Sequence, residues 1–297
     1  MPFYSIKENS KLIPIKEAIV NIIEKKLQKI TESNLKEIFE LEFLDTEVSI
    51  ERFRIDTLAF DLETKSFAII EYKRDRSFSV SDQGLAYLSL LLNRKADFVL
   101  KYNKIKKENK SIENFDWEQS RVILIAQSFT PHQVQALGFR NLPIELWEVK
   151  IYDNNFISFN QVKIPVAEES IGLVTKGGSY KKIDREIVRP PIGKVLEKTA
   201  NKVTRQRIDE TMEYCESLCA SQPYTTKRHI VYRTNKAFAK IYPQKNQFWV
   251  DVRRRGISDK LNLLKHKHPV FGHIEVPNDL DLYKVKDLIK QSYESTL

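Results

Sequence analysis

The sequence predicts an α/β fold, a mixed central sheet flanked by helices, with a second, smaller α+β domain behind it. Three observations predict this. Over residues 1–162 short apolar runs alternate with segments of helical period. Residues 163–191 lose any clean period and carry Gly177-Gly178 and Pro190-Pro191, which marks a linker. Residues 192–297 then resume with a helical pattern, strand-like runs and a closing helix. Charge divides near the same place. Residues 1–170 hold 24 Lys+Arg against 26 Asp+Glu, whereas 171–297 hold 25 against 14, a net of +11. A basic C-terminal part of this kind fits a polyanionic partner, most simply nucleic acid.

The elements follow in order. Ile15, Ala18, Ile19, Ile22, Ile23, Leu27 and Ile30 recur at helical spacing and predict a helix from about Pro14. Thr31–Asn34 interrupts it and starts a second helix carrying Leu35, Ile38 and Phe39. Strand-like runs come next at 47–50, 53–60 and 66–73. Ser81 or Asp82 is a fitting N-cap for a buried helix reaching Leu92. FVLKY at 98–102 reads as a short strand, and the polar run 103–120 as a helix end and exposed loop. Strands are expected at 121–126, 143–152 and after Asn155, with a short helix at 131–137. In the second domain the pattern predicts a long helix over 193–221, strands over 230–239 and 241–253, and a helix over 278–294.

The hairpin 53–73 carries the chemistry. A turn centred between Glu63 and Thr64 makes residues whose numbers total 127 face each other. Phe60 then meets Phe67, Leu58 meets Ile69, Asp56 meets Glu71 and Arg54 meets Lys73. One face is thus apolar near the turn and charged at the far end. Phe53, Ile55, Thr57, Ala59, Ala68, Ile70 and Tyr72 form the opposite, mostly apolar face. Two facing carboxylates repel each other and need a cation between them, supplied by Arg54 and Lys73 or by Mg²⁺.

The pattern of Asp56 followed by Glu71-Tyr72-Lys73 at the end of the next strand resembles the PD-(D/E)xK nuclease superfamily. "RIDTLAFD" and "FAIIEYKRDRS" resemble its structure- and mismatch-directed branches. Gln83 and Tyr87 in QGLAY are similar to its Q-x-x-x-Y motif. Glu32, with Glu37 as a competing position, is similar to its upstream helical acid. The Pro of the motif name is replaced by Ile55, as in many members. The resemblance covers about residues 30–160. It implies a restriction-endonuclease-like sheet and a Mg²⁺-dependent endonuclease, with Mn²⁺ as a substitute metal, that hydrolyses DNA phosphodiesters. Asp56 and Glu71 would hold the metal, while Lys73, Gln83 and Glu32 would complete the catalytic set. Cutting both strands would favour a homodimer. Two rival readings stay open: a catalytically silent nucleic-acid-binding module that keeps the fold, and an interaction protein whose hairpin charges are simply paired.

Residues 190–297 resemble an uncharacterised domain found behind nuclease-like domains and sometimes labelled a predicted transport protein. Within it Arg228, Arg233, Arg253, Arg254 and Arg255, interleaved with Tyr232, Phe238, Tyr242, Phe248 and Trp249, are the candidate nucleic-acid contacts. Most of these aromatics are expected in the core. His266, His268 and His273 match no zinc spacing and are expected to hydrogen-bond or meet phosphate. Cys215 and Cys219, four apart, are expected on one helical face without a metal or disulfide role. With no apolar run long enough to span a bilayer and no leader pattern, the expected location is the cytoplasm, away from any membrane.

Overall fold

The computed structural model describes residues 3–8, 10–18, 24–73, 80–138, 142–164, 190–219, 223–226, 228–234, 236–265 and 270–296. The chain divides into two compact units, Met1–Ile187 and Val188–Leu297. The expected linker lies mostly outside the described residues. So do His266 and His268.

In the first unit a hairpin of β1 (Phe3–Ile6) and β2 (Leu12–Ile15) precedes α1 (Glu24–Ser33) and α2 (Leu35–Phe39). Three strands follow, β3 (Glu42–Ile50), β4 (Phe53–Asp61) and β5 (Ser66–Lys73), then α3 (Val80–Asn93) and α4 (Lys95–Lys106). β6 (Arg121–Ala126), α5 (Pro131–Ala136), β7 (Ile144–Tyr152) and β8 (Phe156–Gln161) complete it. The six-stranded sheet has the order β3-β4-β5-β6-β7-β8. β5, β6 and β7 are parallel, and the other neighbours are antiparallel, so the sheet is mixed. Both faces are covered. Phe67, Ile69, Val122, Leu124, Ile144 and Leu146 pack with α3 and α4, while Ala68, Ile70, Tyr72, Ile123 and Ile125 pack with α1 and α2. That is why the central strands read as unbroken apolar runs.

Several expectations need correcting. Residues 98–102 are helical, inside α4, because Phe98, Val99 and Tyr102 fill one buried face at spacings of one, three and four. The 103–120 run is anchored rather than exposed throughout: Phe115 and Trp117 are buried, and Trp117 stacks on Phe67 at 5.3 Å. Ile15 belongs to β2, and the described part of the first helix begins only at Glu24. Ser81 and Asp82 lie inside α3, after its start at Val80, and are not its N-cap.

The second unit opens with α6 (Ile192–Leu196) and α7 (Lys202–Leu218), where one long helix was expected. Asn201 caps α7 by accepting from the Val203 and Thr204 N–H groups, so the chain restarts there. Strands β9 (Tyr224–Thr225), β10 (Ile230–Arg233), β11 (Ala237–Pro243), β12 (Phe248–Arg253) and β13 (Phe271–Val276) form one antiparallel sheet, closed by α8 (Leu282–Glu294). The expected strands at 230–239 and 241–253 are therefore three, split by turns after Arg233 and Pro243. Ile230, Ile241, Val250 and Ile274 align across the sheet on the face that packs against α7 and α8. Cys215 is buried in this core on α7, and Cys219 sits just past its end; both are free thiols. Among the described residues no helix is long and apolar enough to cross a membrane.

Candidate active site

β4 and β5 pair in the expected register from Asp61–Ser66 to Thr57–Ile70, and there the ladder stops. β5 runs on beside β6 as far as Lys73–Ala126, while β4 follows β3 away. The expected facing pairs Asp56–Glu71 and Arg54–Lys73 are therefore not made. Instead the Asp56 carboxylate bridges the fork, its Oδ2 accepting from the Tyr72 N–H at 3.0 Å. The opposite-face assignment also fails at Ile55 and Phe53, which pack with the Leu58 cluster. The cause is a local break in the pleat. Glu47, across from Asp56, has φ of 51°, and the β3–β4 pairing skips this pair.

Glu71 shares its face of β5 with Phe67 and Ile69 and so points toward α3. It is 4% exposed. Its Oε1 accepts from Lys73 Nζ at 2.8 Å and from Gln83 Nε2 at 2.6 Å. Gln83 Nε2 also lies 3.3 Å from the Tyr87 hydroxyl, which donates to the Arg54 carbonyl at 2.8 Å. Gln83 and Tyr87 are one turn apart on α3, so a single helix face delivers both. α3 can lie close because residue 84 is glycine: a Cβ there would come within 2.9 Å of the Ile144 side chain.

Two carboxylates in this fork raise the cost of ionisation. Asp56 is pushed up to about 6, first by burial and then by the neighbouring Glu71 charge; Glu47 adds to the push, while the Tyr72 N–H and Lys73 oppose it. Tyr87 is raised as well, by burial first and then by Glu71, which keeps its phenol a neutral donor. Glu71 Oε2 and Gln83 Oε1 are buried acceptors without a hydrogen-bond partner among the described residues. Such oxygens are costly unless a donor or cation meets them. No group of three or more His, Cys, Asp or Glu side chains is arranged to hold a metal ion among the described residues. The oxygen set here is two carboxylates and an amide. That suits a hard cation of the Mg²⁺ type, which takes one or two protein carboxylates and completes its shell with water and phosphate.

Glu32 stands apart from this cluster. Its Oε1 accepts from Thr57 Oγ1 at 2.7 Å and Gln28 Nε2 at 3.1 Å, on the α1 side of the sheet. Gln28 Nε2 also reaches the Asp56 carbonyl at 2.9 Å. Glu32 thus braces the backbone on either side of the fork rather than meeting Glu71, and Glu37 is exposed on α2. Gln28, Thr57 and Glu47 were not singled out in the sequence. Gln28 had a signal, being a polar residue one turn before Glu32 on the buried stripe of α1. Glu47 had none, since its backbone conformation depends on the strand beside it.

In the second unit Arg253 corrects the expected nucleic-acid face. It is 4% exposed, donates to the Ala237 carbonyl at 3.1 Å and lies 5.7 Å from the Phe271 ring. Burial, and then Arg255, pulls its guanidinium down to about 10. A side chain held this way supports the sheet and does not reach phosphate. Arg228, Arg254 and Arg255 are exposed and Arg233 is half-buried. Tyr232, Phe238 and Phe248 are core residues. His273 Nδ1 is paired with Asp251 Oδ1 at 2.6 Å.

No family model matches the chain. The chain is similar to an uncharacterised protein of Haemophilus influenzae, 34% identical over 285 residues, which cover 91% of this chain and 92% of that protein. The chain belongs to that protein's family. The two proteins match over nearly their whole length, so the match takes in both units of this chain. Among solved structures, a repair endonuclease from Pyrococcus abyssi aligns at 18% identity over 39% of this chain, with a TM-score of 0.24. An EndoMS–dsDNA complex aligns at 16% over 44%, with a TM-score of 0.22. The chain spans 42% and 57% of those two chains, less than two thirds of either. Likenesses of that extent leave this family's activity to be argued from its own geometry.

Proposed function

We propose that this protein is a metal-dependent endonuclease of the restriction-endonuclease-like type, hydrolysing phosphodiester bonds of DNA. The observation that carries the reading is the fork itself. Where β4 leaves β5, Asp56, Glu71, Lys73 and Gln83 gather, and two buried acceptor oxygens have no donor among the described residues. A salt-bridged structural cluster would have no use for acceptors without donors.

Asp56, Glu71 and the Gln83 amide oxygen would hold Mg²⁺ or Mn²⁺. When bound, the ion supplies charge neutralisation at a phosphoryl oxygen and an acidified water. Lys73, whose ammonium already lies 2.8 Å from Glu71 Oε1, orients the attacking water and offsets the charge that develops on phosphate. Gln83 fixes the Glu71 rotamer, and Tyr87 fixes Gln83 against the β4 backbone. Water gives up a proton as its oxygen bonds to phosphorus, the bond from phosphorus to the bridging oxygen breaks, and the leaving oxygen takes a proton from solvent to become a hydroxyl. The basic second unit, through Arg228, Arg254 and Arg255, adds phosphate contacts that hold DNA.

The test uses plasmid, single-stranded and branched DNA with Mg²⁺ or Mn²⁺ against EDTA. Cleavage that needs the metal and is lost in Glu71→Ala is expected. Salt-sensitive DNA binding without cleavage in any metal would favour the silent binding module. No binding at all would favour an interaction protein.

A further inference from the structure

The cluster uses three charges at the fork, Asp56, Glu71 and Lys73, but gives Arg54 no role and Glu47 only its push on Asp56. Glu47 is the strained residue of the site. Its φ of 51° is a left-handed conformation in the middle of β3, which a side chain other than glycine adopts at a cost. It stands across from Asp56, at the one position where the β3–β4 pairing is skipped between Thr46–Thr57 and Val48–Ile55. The same conformation accompanies the break in the pleat beside Asp56, and both strands continue beyond it.

The Glu47 side chain also meets Arg54. Glu47 Oε2 accepts from Arg54 Nε at 2.5 Å. Among the described residues Nε is the Arg54 nitrogen that is engaged, and the Arg54 side chain is 67% exposed. A carboxylate on Nε fixes the plane of a guanidinium while leaving its terminal fork for a second anion, and that fork matches two oxygens of one phosphate. The backbone of Arg54 is held from the other side, its carbonyl accepting from the Tyr87 hydroxyl, one hydrogen bond away from Gln83. Arg54 also lies two residues before Asp56 on β4. Its head group is therefore a positioned cation at the border of the fork.

We propose that Arg54 is a phosphate-binding residue for the nucleic-acid backbone, gripping a phosphodiester next to the one that is cut, and that Glu47 is the positioning residue that aims it. This rests on the nuclease reading and adds to it one substrate contact outside the metal cluster. The strain at Glu47 is the cost of that aim. Lysine would not replace Arg54, since an ammonium has no fork to orient.

Two measurements on the full chain test this: anisotropy of a labelled DNA duplex across a salt series in EDTA, and cleavage kinetics in Mn²⁺. The variants are Arg54→Ala, Arg54→Lys, Glu47→Gln and Glu47→Gly. In Arg54→Ala the slope of log affinity against log salt should shrink by about 1, the loss of one phosphate contact. KM should rise about 10-fold with a smaller change in kcat, and Arg54→Lys should recover part of the salt slope but little of the KM. Glu47→Gly should melt at or above the wild-type temperature, because glycine tolerates the positive φ, yet show the same KM rise. An unchanged slope and KM in Arg54→Ala, with a wild type that binds and cuts, would overturn the proposal and leave the nuclease reading standing. A Glu47→Gly protein that binds and cuts like wild type would remove the positioning role. A wild type that binds no nucleic acid would end the nuclease reading, and this contact with it.

Discussion

Lys73 and Gln83 donate to the same oxygen of Glu71, so removing each separates catalysis from positioning. Lys73→Ala is expected to lower the cleavage rate by about 10²–10³-fold, the range for losing one group that stabilises developing charge. Gln83→Ala should lower it less while leaving Lys73 in place; rates measured at saturating metal check both. His229 makes a second prediction, on stability. Burial first, and then Lys240, Arg228 and Lys198, pull its imidazole down to about 3. The unfolded chain takes up a proton near pH 6.5 that the folded chain refuses until about 3, so stability is full above 6.5 and falls as the pH drops through that window. Denaturant melts of wild type and His229→Gln between pH 4 and 7 should show a shallower slope in the variant. At this scale Asp56, Glu71 and Lys73 stood out as charges at one end of a hairpin and Gln83 through the resemblance of QGLAY to a Q-x-x-x-Y motif, whereas the facing pairs expected for the charges are not made. Glu32 was legible as a residue near the fork but not in its partner, since which side of the sheet α1 covers is a tertiary fact. Arg253 was misread because nothing local distinguishes a buried cation over Phe271 from an exposed one.

The β4–β5 hairpin was readable to the residue as far as Thr57–Ile70, because period two and one turn position fix a register. The reading failed where the ladder ends, since the departure of β4 depends on its pairing with β3. Residues 98–102 failed for another reason. Apolar residues within five positions fit either period, and only the helix length around them decides. The β1–β2 hairpin and β13 were missed, being short and flanked by sequence that also fits other states. α3 carries the prediction at this level. Gly84→Val should push α3 off Ile144 and Leu124 by overpacking and cost about 1–3 kcal/mol, read from a denaturant midpoint. Cleavage should fall along with stability, because the same helix aims Gln83. Gly84→Ala should be milder, since the Ile144 δ-methyl can swing aside and alanine favours the helix.

Each unit of the molecule has its own apolar core, one sheet buried on both faces by helices and one packed against α7 and α8. A fragment of residues 188–297 is therefore expected to fold alone and melt cooperatively by circular dichroism. Its share of the basic C-terminal charge predicts salt-sensitive DNA binding by the fragment itself; binding that does not weaken between 50 and 200 mM salt, a range over which six to ten phosphate contacts lose about 10³–10⁵ in affinity, would remove the second unit from the interface. A change of period and of charge balance leads to the expectation of domains at 1–162 and 192–297, and the chain divides into compact units at Ile187 and Val188. The proposed activity rests on the fork between β4 and β5. Single-turnover cleavage of duplex DNA in Mn²⁺ by wild type and Asp56→Asn, beside their thermal melts, tests it most directly. A rate at least about 10²-fold lower in a variant that melts normally is expected if this carboxylate holds the metal. Equal rates, or no metal-dependent cleavage by the wild type, would contradict a catalytic role for the fork.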